Sequence, residues 1–219
     1  AGGMTVRPIV IAGDPVLLHP TEMVDLSGGV TKELHRLIKD MYDTLAASGG
    51  VGLSANQIGV GKRIFVIDCP DTDLPLGREM TPDMIRERAG RPGWSKNGMN
   101  RIACVINPVL TVGNPPNGEP VMMREGEGCL SVPGAQFALD RYDWAQVTGT
   151  DAKRQPITLE GYGFFAKCLQ HEVGHLDGHL YTEFVPVFAR PKVKRLFRNR
   201  KWNQPGQSWM PGVDPDPFA

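Results

Sequence analysis

The feature that most constrains this chain is the segment HEVGH at residues 171–175, inside an apolar stretch predicted to be helical from 161 to 177. Residues four apart on a helix leave the same face about one turn apart, so His171 and His175 can share one metal ion. Glu172 would then point beside the metal. The alternative is an ordinary helix whose histidines are packing or surface residues.

A glycine interrupts this predicted helix and another ends it. Gly174 lies in the interior, where glycine costs about 1 kcal/mol relative to alanine. We therefore expect another backbone to approach the helix closely there. Gly178 is expected to stop the helix.

A catalytic site of this type needs a third protein ligand and an open position for water. Tyr181 stands where a metzincin has its third histidine, and Glu183, in a segment that reads as extended, is too near to be a gluzincin ligand. Cys168 lies about 7.5 Å along the helix axis from the midpoint of the histidines, which is too far. Cys129 is the remaining candidate for the third ligand. The preceding Gly128 permits a close approach of the backbone there. The alternative for Cys129 is a buried structural thiol.

The pattern of the other segments predicts an α+β fold. Residues 31–48 place apolar side chains at helical spacing after a Thr31 cap, and Gly49 is the stop. Short β-branched runs predict strands near residues 63–68, 103–110, 119–123 and 144–150, and a hairpin that turns at 151–155. Since helices and strands do not alternate regularly, antiparallel sheet is favoured over a doubly wound fold.

The domain organisation is predicted to be simple. No internal repeat is visible, and 219 residues suit a single domain spanning 1–219. Residues 70–100, rich in proline, glycine and charge, are expected to be a surface insertion with a short helix capped by Thr81. Residues 190–219 are expected to be a basic helix followed by an extended or mobile proline-rich tail.

Charge and composition exclude several classes of protein. Lys plus Arg equals Asp plus Glu at 24 each, so no overall field would attract DNA or a membrane surface. No apolar run is long enough to span a bilayer, and no export signal is visible. The four cysteines are dispersed, which argues against a disulfide framework. The expected location is the cytoplasm.

The glycine-rich segment GVGLSANQ, residues 50–57, follows the first predicted helix. A phosphate-binding loop is one alternative, but the lysine and the strand-to-helix context of a P-loop are missing. Simple packing of small residues between two elements is another.

Three segments in this order, GVGLSANQ, EGCLS at residues 127–131 and QHEVGH at residues 170–175, resemble the signatures of the peptide deformylase family. GDPVL at residues 13–17 and the NP of INPVL are also similar. Two positions depart from the usual pattern, because Ser54 replaces alanine and Gly174 replaces aspartate. The resemblance implies a deformylase-like fold with antiparallel sheets around a central HExxH helix.

The resemblance also implies a reaction, namely removal of the N-formyl group from the N-terminal methionine of new polypeptides with release of formate. It implies Fe²⁺ as the native metal, with zinc, nickel or cobalt as substitutes. The implied ligands are Cys129, His171 and His175, the proton carrier is Glu172, and the oxyanion donors are Gln57 and the Leu130 N–H. The implied substrate-binding residues are Val51, Gly52, Glu127, Leu130 and Cys168.

Two other functions share the same HExxH chemistry or metal site. A zinc peptidase would cleave an internal amide, whereas a deformylase would release formate and leave unformylated peptides intact. A metal-stabilised binding module would have a closed coordination sphere and no dependence on Glu172.

The basic segment between Lys192 and Lys201 has Val193, Leu196 and Phe197 at helical spacing, which predicts a helix with a solvated basic face. Because the implied substrate emerges from a ribosome, contact of this face with ribosomal RNA is a minority hypothesis.

Overall fold

The computed structural model describes residues 3–75, 77–116 and 118–219. Ala1, Gly2, Leu76 and Asn117 lie outside the described residues, as do the parts of the predicted domain and insertion that fall on them. The helices are α1 (Pro15–Leu18), α2 (Lys32–Ser48), α3 (Pro82–Arg88), α4 (Gly163–Leu176) and α5 (Arg190–Arg200). The strands are β1 (Ile9–Val10), β2 (Gly52–Ser54), β3 (Ile64–Pro70), β4 (Asn100–Val112), β5 (Met122–Cys129), β6 (Val132–Tyr142), β7 (Trp144–Thr150), β8 (Pro156–Tyr162) and β9 (Ser208–Trp209).

Helix α2 begins and ends where the sequence predicts. The Thr31 side chain accepts a hydrogen bond from the Leu34 N–H at 3.1 Å. Gly49 ends the helix in the left-handed conformation, with φ +72°, which glycine adopts without steric cost. The apolar positions of the predicted stripe are all buried: Leu34, Leu37, Ile38, Met41 and Leu45.

The central sheet has five antiparallel strands in the order β2-β3-β4-β7-β8. Successive side chains of a strand point to opposite faces, and both faces of β3 are covered. Ile64 and Val66 pack with α2, whereas Phe65 and Ile67 pack with α4. The sheet therefore lies between these two helices.

Helix α4 carries the HEVGH segment and is mostly buried, with 11 of its 14 residues in the interior. Besides the central sheet, it faces the two-stranded hairpin β5–β6. Every pairing between these strands is antiparallel, so the predicted α+β class, with antiparallel sheets around the HExxH helix, is confirmed.

Residues 70–100 follow β3 and carry α3. Thr81 caps this helix by accepting the Met84 N–H, and Pro82 is its first residue, as expected. Most side chains between Asp71 and Asn100 are exposed or half-buried. Their role as a surface insertion of one domain stays a prediction.

Two expectations were wrong. Residues 181–184 and 187–189 are 3₁₀ helices and not extended. A Cβ built on Gly174 would meet nothing within 4 Å, so among the described residues no other segment packs against the Cβ side of this position. Strand β6 was not among the predicted strands. At the start of the C-terminal tail, Trp209 is buried and β9 pairs with β1, whereas the mobility of the residues that follow stays a prediction.

None of the helices in the described ranges combines the length and the apolar composition that a membrane crossing requires.

Candidate metal centre and active site

Three potential ligand atoms converge from two elements of the fold. The histidines come from α4, with their Nε2 atoms 3.1 Å apart, and Cys129 comes from the end of β5. The thiol Sγ lies 3.2 Å from Nε2 of His175, and the ligand atoms of Cys129, His171 and His175 all lie within 4.8 Å of one another. One thiolate and two imidazoles form a donor set that suits a borderline divalent metal. The residues therefore fit a metal site.

Cys129 reaches this position because the β5–β6 hairpin turns there. Cys129 pairs with Val132, so the turn consists of Leu130 and Ser131. The Ser131 N–H points at Sγ, at 3.4 Å.

The other ring nitrogen of His171 is held by Glu127. Nδ1 lies 2.6 Å from Glu127 Oε2, which leaves Nε2 directed toward Cys129 and His175. Arg141 donates to both oxygens of Glu127, at 3.1 and 2.8 Å. Burial opposes ionisation of Glu127, but the hydrogen bonds and charges of His171 and Arg141 outweigh it and lower its pKa to about 2. A carboxylate that fixes a metal-binding imidazole is a common outer support of such sites.

Glu172 is buried beside the ligands but outside the hydrogen-bond network. Its Oε1 atom has no partner among residues 3–75, 77–116 and 118–219. Burial raises its pKa to about 7, chiefly because the charged form is desolvated. A carboxyl group with a pKa near the operating pH is suited to accept and return a proton.

The carboxyl group of Glu172 leaves no room for a side chain at position 52. A Cβ at position 52 would lie 2.5 Å from Glu172 Oε2, closer than real Cβ contacts. Any larger residue at 52 would push Glu172 away.

Gln57 is positioned by a 3₁₀ helix, residues 55–58, that follows β2. Its Oε1 accepts the Ser54 N–H at 3.0 Å and the Ser54 hydroxyl at 3.1 Å, so its amide group points at the hairpin turn. Nε2 lies 3.2 Å from Ser131 Oγ and 3.7 Å from Cys129 Sγ. Ser54, which departs from the usual family pattern, thus helps to orient Gln57.

The neighbouring Asn56 connects this loop to α4. Its Nδ2 donates to the His175 carbonyl at 2.6 Å, at the last turn of the helix. Hydrogen bonds therefore connect the 55–58 loop to both α4 and the β5–β6 hairpin, next to the three potential metal ligands.

A cavity of about 360 Å³ lies next to the three potential metal ligands, and most of the predicted site residues line it. It is lined by Val51, Gly52, Gln57, Glu127, Cys129, Leu130, Cys168, His171 and Glu172, and also by Asp216 and Phe218. His175 lies behind His171, at 1% exposure. Cys168 lines the cavity and is 5% exposed, whereas Tyr181 packs on the His171 ring with centroids 5.9 Å apart.

The chain matches a family model described as polypeptide deformylase over residues 6–188. The chain belongs to this family. Peptide deformylases of Mycobacterium sp. (strain JLS) and Mycolicibacterium smegmatis are 47% and 49% identical to it over 218 and 219 residues, which is 99% of this chain and 100% of each relative.

Solved deformylase structures share the fold. The peptide deformylase of Ehrlichia chaffeensis is 27% identical with a TM-score of 0.69, covering 90% of this chain and 97% of that one. The enzyme of Legionella pneumophila is 28% identical with a TM-score of 0.67, covering 90% and 96%.

Sequence reasoning missed several residues of this deformylase site. Asn56 donates to the His175 carbonyl and Ser131 contacts Gln57; both lie in the GVGLSANQ and EGCLS segments, but no role was predicted for them. Arg141 supports Glu127 and lies outside every predicted motif. The resemblance implies that the backbone near Glu127 aligns the peptide, which stays a prediction, but the contacts of the Glu127 side chain with His171 and Arg141 were not anticipated. Only Ser54 carried a signal, its departure from the usual alanine.

Proposed function

We propose that this chain is a metal-dependent hydrolase that removes the N-formyl group from the N-terminal methionine of newly made polypeptides and releases formate. The observation that carries the proposal is the convergence of Cys129, His171 and His175 beside an unpartnered Glu172, in a chain of the deformylase family. The substrate is a formylated nascent peptide.

Cys129, His171 and His175 would hold the metal, and a divalent ion there supplies Lewis acidity. Glu172 takes a proton from the attacking water and delivers it to the amine nitrogen as the bond to the formyl carbon breaks. Its burial keeps the acid and base forms close in free energy.

Negative charge develops on the formyl oxygen as water attacks. The Gln57 amide and the Leu130 N–H are the proposed donors to it. Both are prepositioned: Ser54 fixes Gln57, and Trp209 Nε1 anchors Leu130 by donating to its carbonyl at 2.8 Å. Donors held in place before the reaction need no reorganisation during it.

Formate release tests the function. Metal-loaded protein should release formate from formyl-Met-Ala-Ser and leave unformylated Met-Ala-Ser intact. Cleavage of an internal amide in the unformylated peptide, without formate, would contradict the proposal and favour a peptidase.

The ligand assignment is tested by two cysteines that line the same cavity. Cys129→Ser should lose bound metal, whereas Cys168→Ser should keep it, because Cys168 belongs to the apolar cluster between α4 and the central sheet. Metal content per chain is the measurement. The reverse result would overturn the ligand set.

We infer Fe²⁺ as the native metal on the basis of the family resemblance, since the donor set also suits zinc, nickel and cobalt. A thiolate beside ferrous iron is sensitive to oxidation. Protein isolated without oxygen should contain iron and lose activity in air, whereas nickel- or cobalt-loaded protein should keep its activity in air. Stoichiometric zinc with full, air-stable activity would contradict this inference.

A cytoplasmic location and contact with the ribosome follow as further proposals. Helix α5 buries Phe197 and exposes Lys192, Arg195 and Arg198, which leaves a basic face free. Changing these three to Gln should weaken salt-sensitive ribosome binding and leave the cleavage of short formyl-peptides unchanged. Ribosome affinity that is indifferent to both salt and the substitutions would rule out the contact.

A further inference from the structure

The C-terminal segment, Met210–Ala219, reaches the cavity of the proposed active site. Asp216 and Phe218 line the same cavity as Gln57 and Glu172. The family model ends at residue 188, so this segment lies outside the part of the chain that the model matches.

Trp209, immediately before the segment, is buried and bonded to the Leu130 carbonyl. Two aspartates then hold successive turns. Asp214 Oδ2 accepts the Met210 N–H at 2.6 Å, and Asp216 Oδ1 accepts the Phe218 N–H at 2.9 Å. The path of the segment is therefore fixed by its own hydrogen bonds.

The segment packs on the hairpin that carries Cys129. A Cβ built on Gly128 would lie 3.7 Å from Phe218 Cε1, at van der Waals contact. Gly134 has a φ of +79°, and a Cβ there would lie 2.9 Å from the Pro217 carbonyl oxygen. The close approach of Pro217 is thus compatible only with glycine at position 134.

Packing leaves part of the Phe218 ring free, since 39% of the residue is exposed. An aromatic ring that contributes to the wall of a cavity and remains accessible offers apolar area to a ligand. The formyl end of a peptide must reach Gln57 and Glu172, so the rest of the peptide has to leave past the exposed part of the cavity wall.

We propose that the C-terminal segment forms one wall of the peptide-binding cleft, and that Phe218 contacts the residues that follow the formyl-methionine. The contact favours apolar side chains there, while the exposed Asp216 carboxylate disfavours acidic ones. This inference rests on the proposed function and adds a specificity residue to it.

Phe218→Ala in the full-length, metal-loaded protein tests the contact with two substrates. The KM for formyl-Met-Leu-Tyr should rise about fivefold, as expected for the loss of a partly buried aromatic contact, with kcat unchanged. The KM for formyl-methioninamide, which ends before the contact, should stay the same. Phe218→Leu should restore most of the lost affinity.

Val213→Ala is the matched control, since Val213 belongs to the same segment, is 80% exposed and does not line the cavity. It should leave both KM values unchanged. A rise in KM of equal size for both substrates, or no rise for either, would overturn the inference.

A lower KM in Phe218→Ala would also overturn it, because the segment would then obstruct the cleft. If the unaltered protein releases no formate from either compound, the proposed function itself fails, and the role of Phe218 fails with it. Thermal denaturation checks whether Phe218→Ala is stably folded. If it is not, the KM values of Phe218→Leu are compared with those of the unaltered protein instead.

Discussion

The two sides of the active-site cleft hold their residues in different ways. On the helix side, His171, Glu172 and His175 belong to one buried α-helix, and the helical repeat sets their spacing. On the loop side, Gln57 and Cys129 are 72 residues apart in sequence and are placed by side-chain hydrogen bonds between separate segments. The helix side is thus defined locally, and the loop side by tertiary contacts.

This difference predicts different kinds of failure. A substitution on the helix side removes a reacting group without disturbing its scaffold. A substitution on the loop side weakens a donor or a ligand by degrees, because several contacts share its position. Graded variants on both sides can separate these two behaviours.

The largest effect is expected from Glu172→Gln on the helix side. The amide keeps the shape but cannot accept a proton, so kcat should fall about 10³-fold, within the usual range for general acid–base groups. Bound metal should stay at the unaltered level. Formate release and metal content per chain are measured together, and parallel loss of both would mean that Glu172 acts as a ligand.

Gln57→Ala should produce the next largest effect, on the loop side. Losing one oxyanion donor typically costs about 2.7 to 4 kcal/mol, or roughly 10²- to 10³-fold in kcat. KM should change little, because the contact strengthens in the transition state. Steady-state kinetics on a formyl-peptide measure both constants. An unchanged kcat would show that Gln57 does not donate to the oxyanion.

Arg141→Met should act at a distance by releasing Glu127. Metal affinity should fall about 10- to 100-fold, as for other supports of metal-bound imidazoles. Arg124→Met is the control on the same hairpin, since Arg124 forms a similar pair with Asp140 at half-exposed positions. Exposed pairs contribute little, so its metal affinity should be unchanged.

Metal titration of both arginine variants gives the comparison. Equal affinity in Arg141→Met and the unaltered protein would show that Glu127 needs no partner. Equal loss in both variants would point to the hairpin as a whole.

The contrast between the two sides also explains what the sequence could predict. The HEVGH spacing and the α2 caps are local patterns, so helices α2 and α4 and two of the proposed metal ligands could be predicted from local sequence. The third ligand, Cys129, needed elimination of alternatives and the family resemblance. The pairing of β5 with β6 and the Arg141–Glu127 contact depend on tertiary packing, which no local pattern reports.

The hydrogen bonds of the C-terminal segment could not be predicted for a related reason. Its prolines and aspartates are typical of a mobile tail, but the aspartates cap turns and Trp209 is buried against Leu130. Composition does not show whether a polar side chain bonds to its own backbone or to water.

The smallest expected effect is that of Gly174→Ala within α4, and Gly52→Ala on the loop side is the contrasting variant. Gly174 has open space around its Cβ position, so Gly174→Ala should raise the unfolding free energy by up to about 1 kcal/mol, because alanine favours the helix, and leave kcat unchanged. Gly52 faces Glu172, so Gly52→Ala should lower kcat by displacing the carboxylate while metal content stays the same. Denaturant unfolding and formate kinetics on both variants provide the test. Loss of activity in Gly174→Ala would show that α4 needs its glycine for function, and the helix side would then be less self-contained than its geometry indicates.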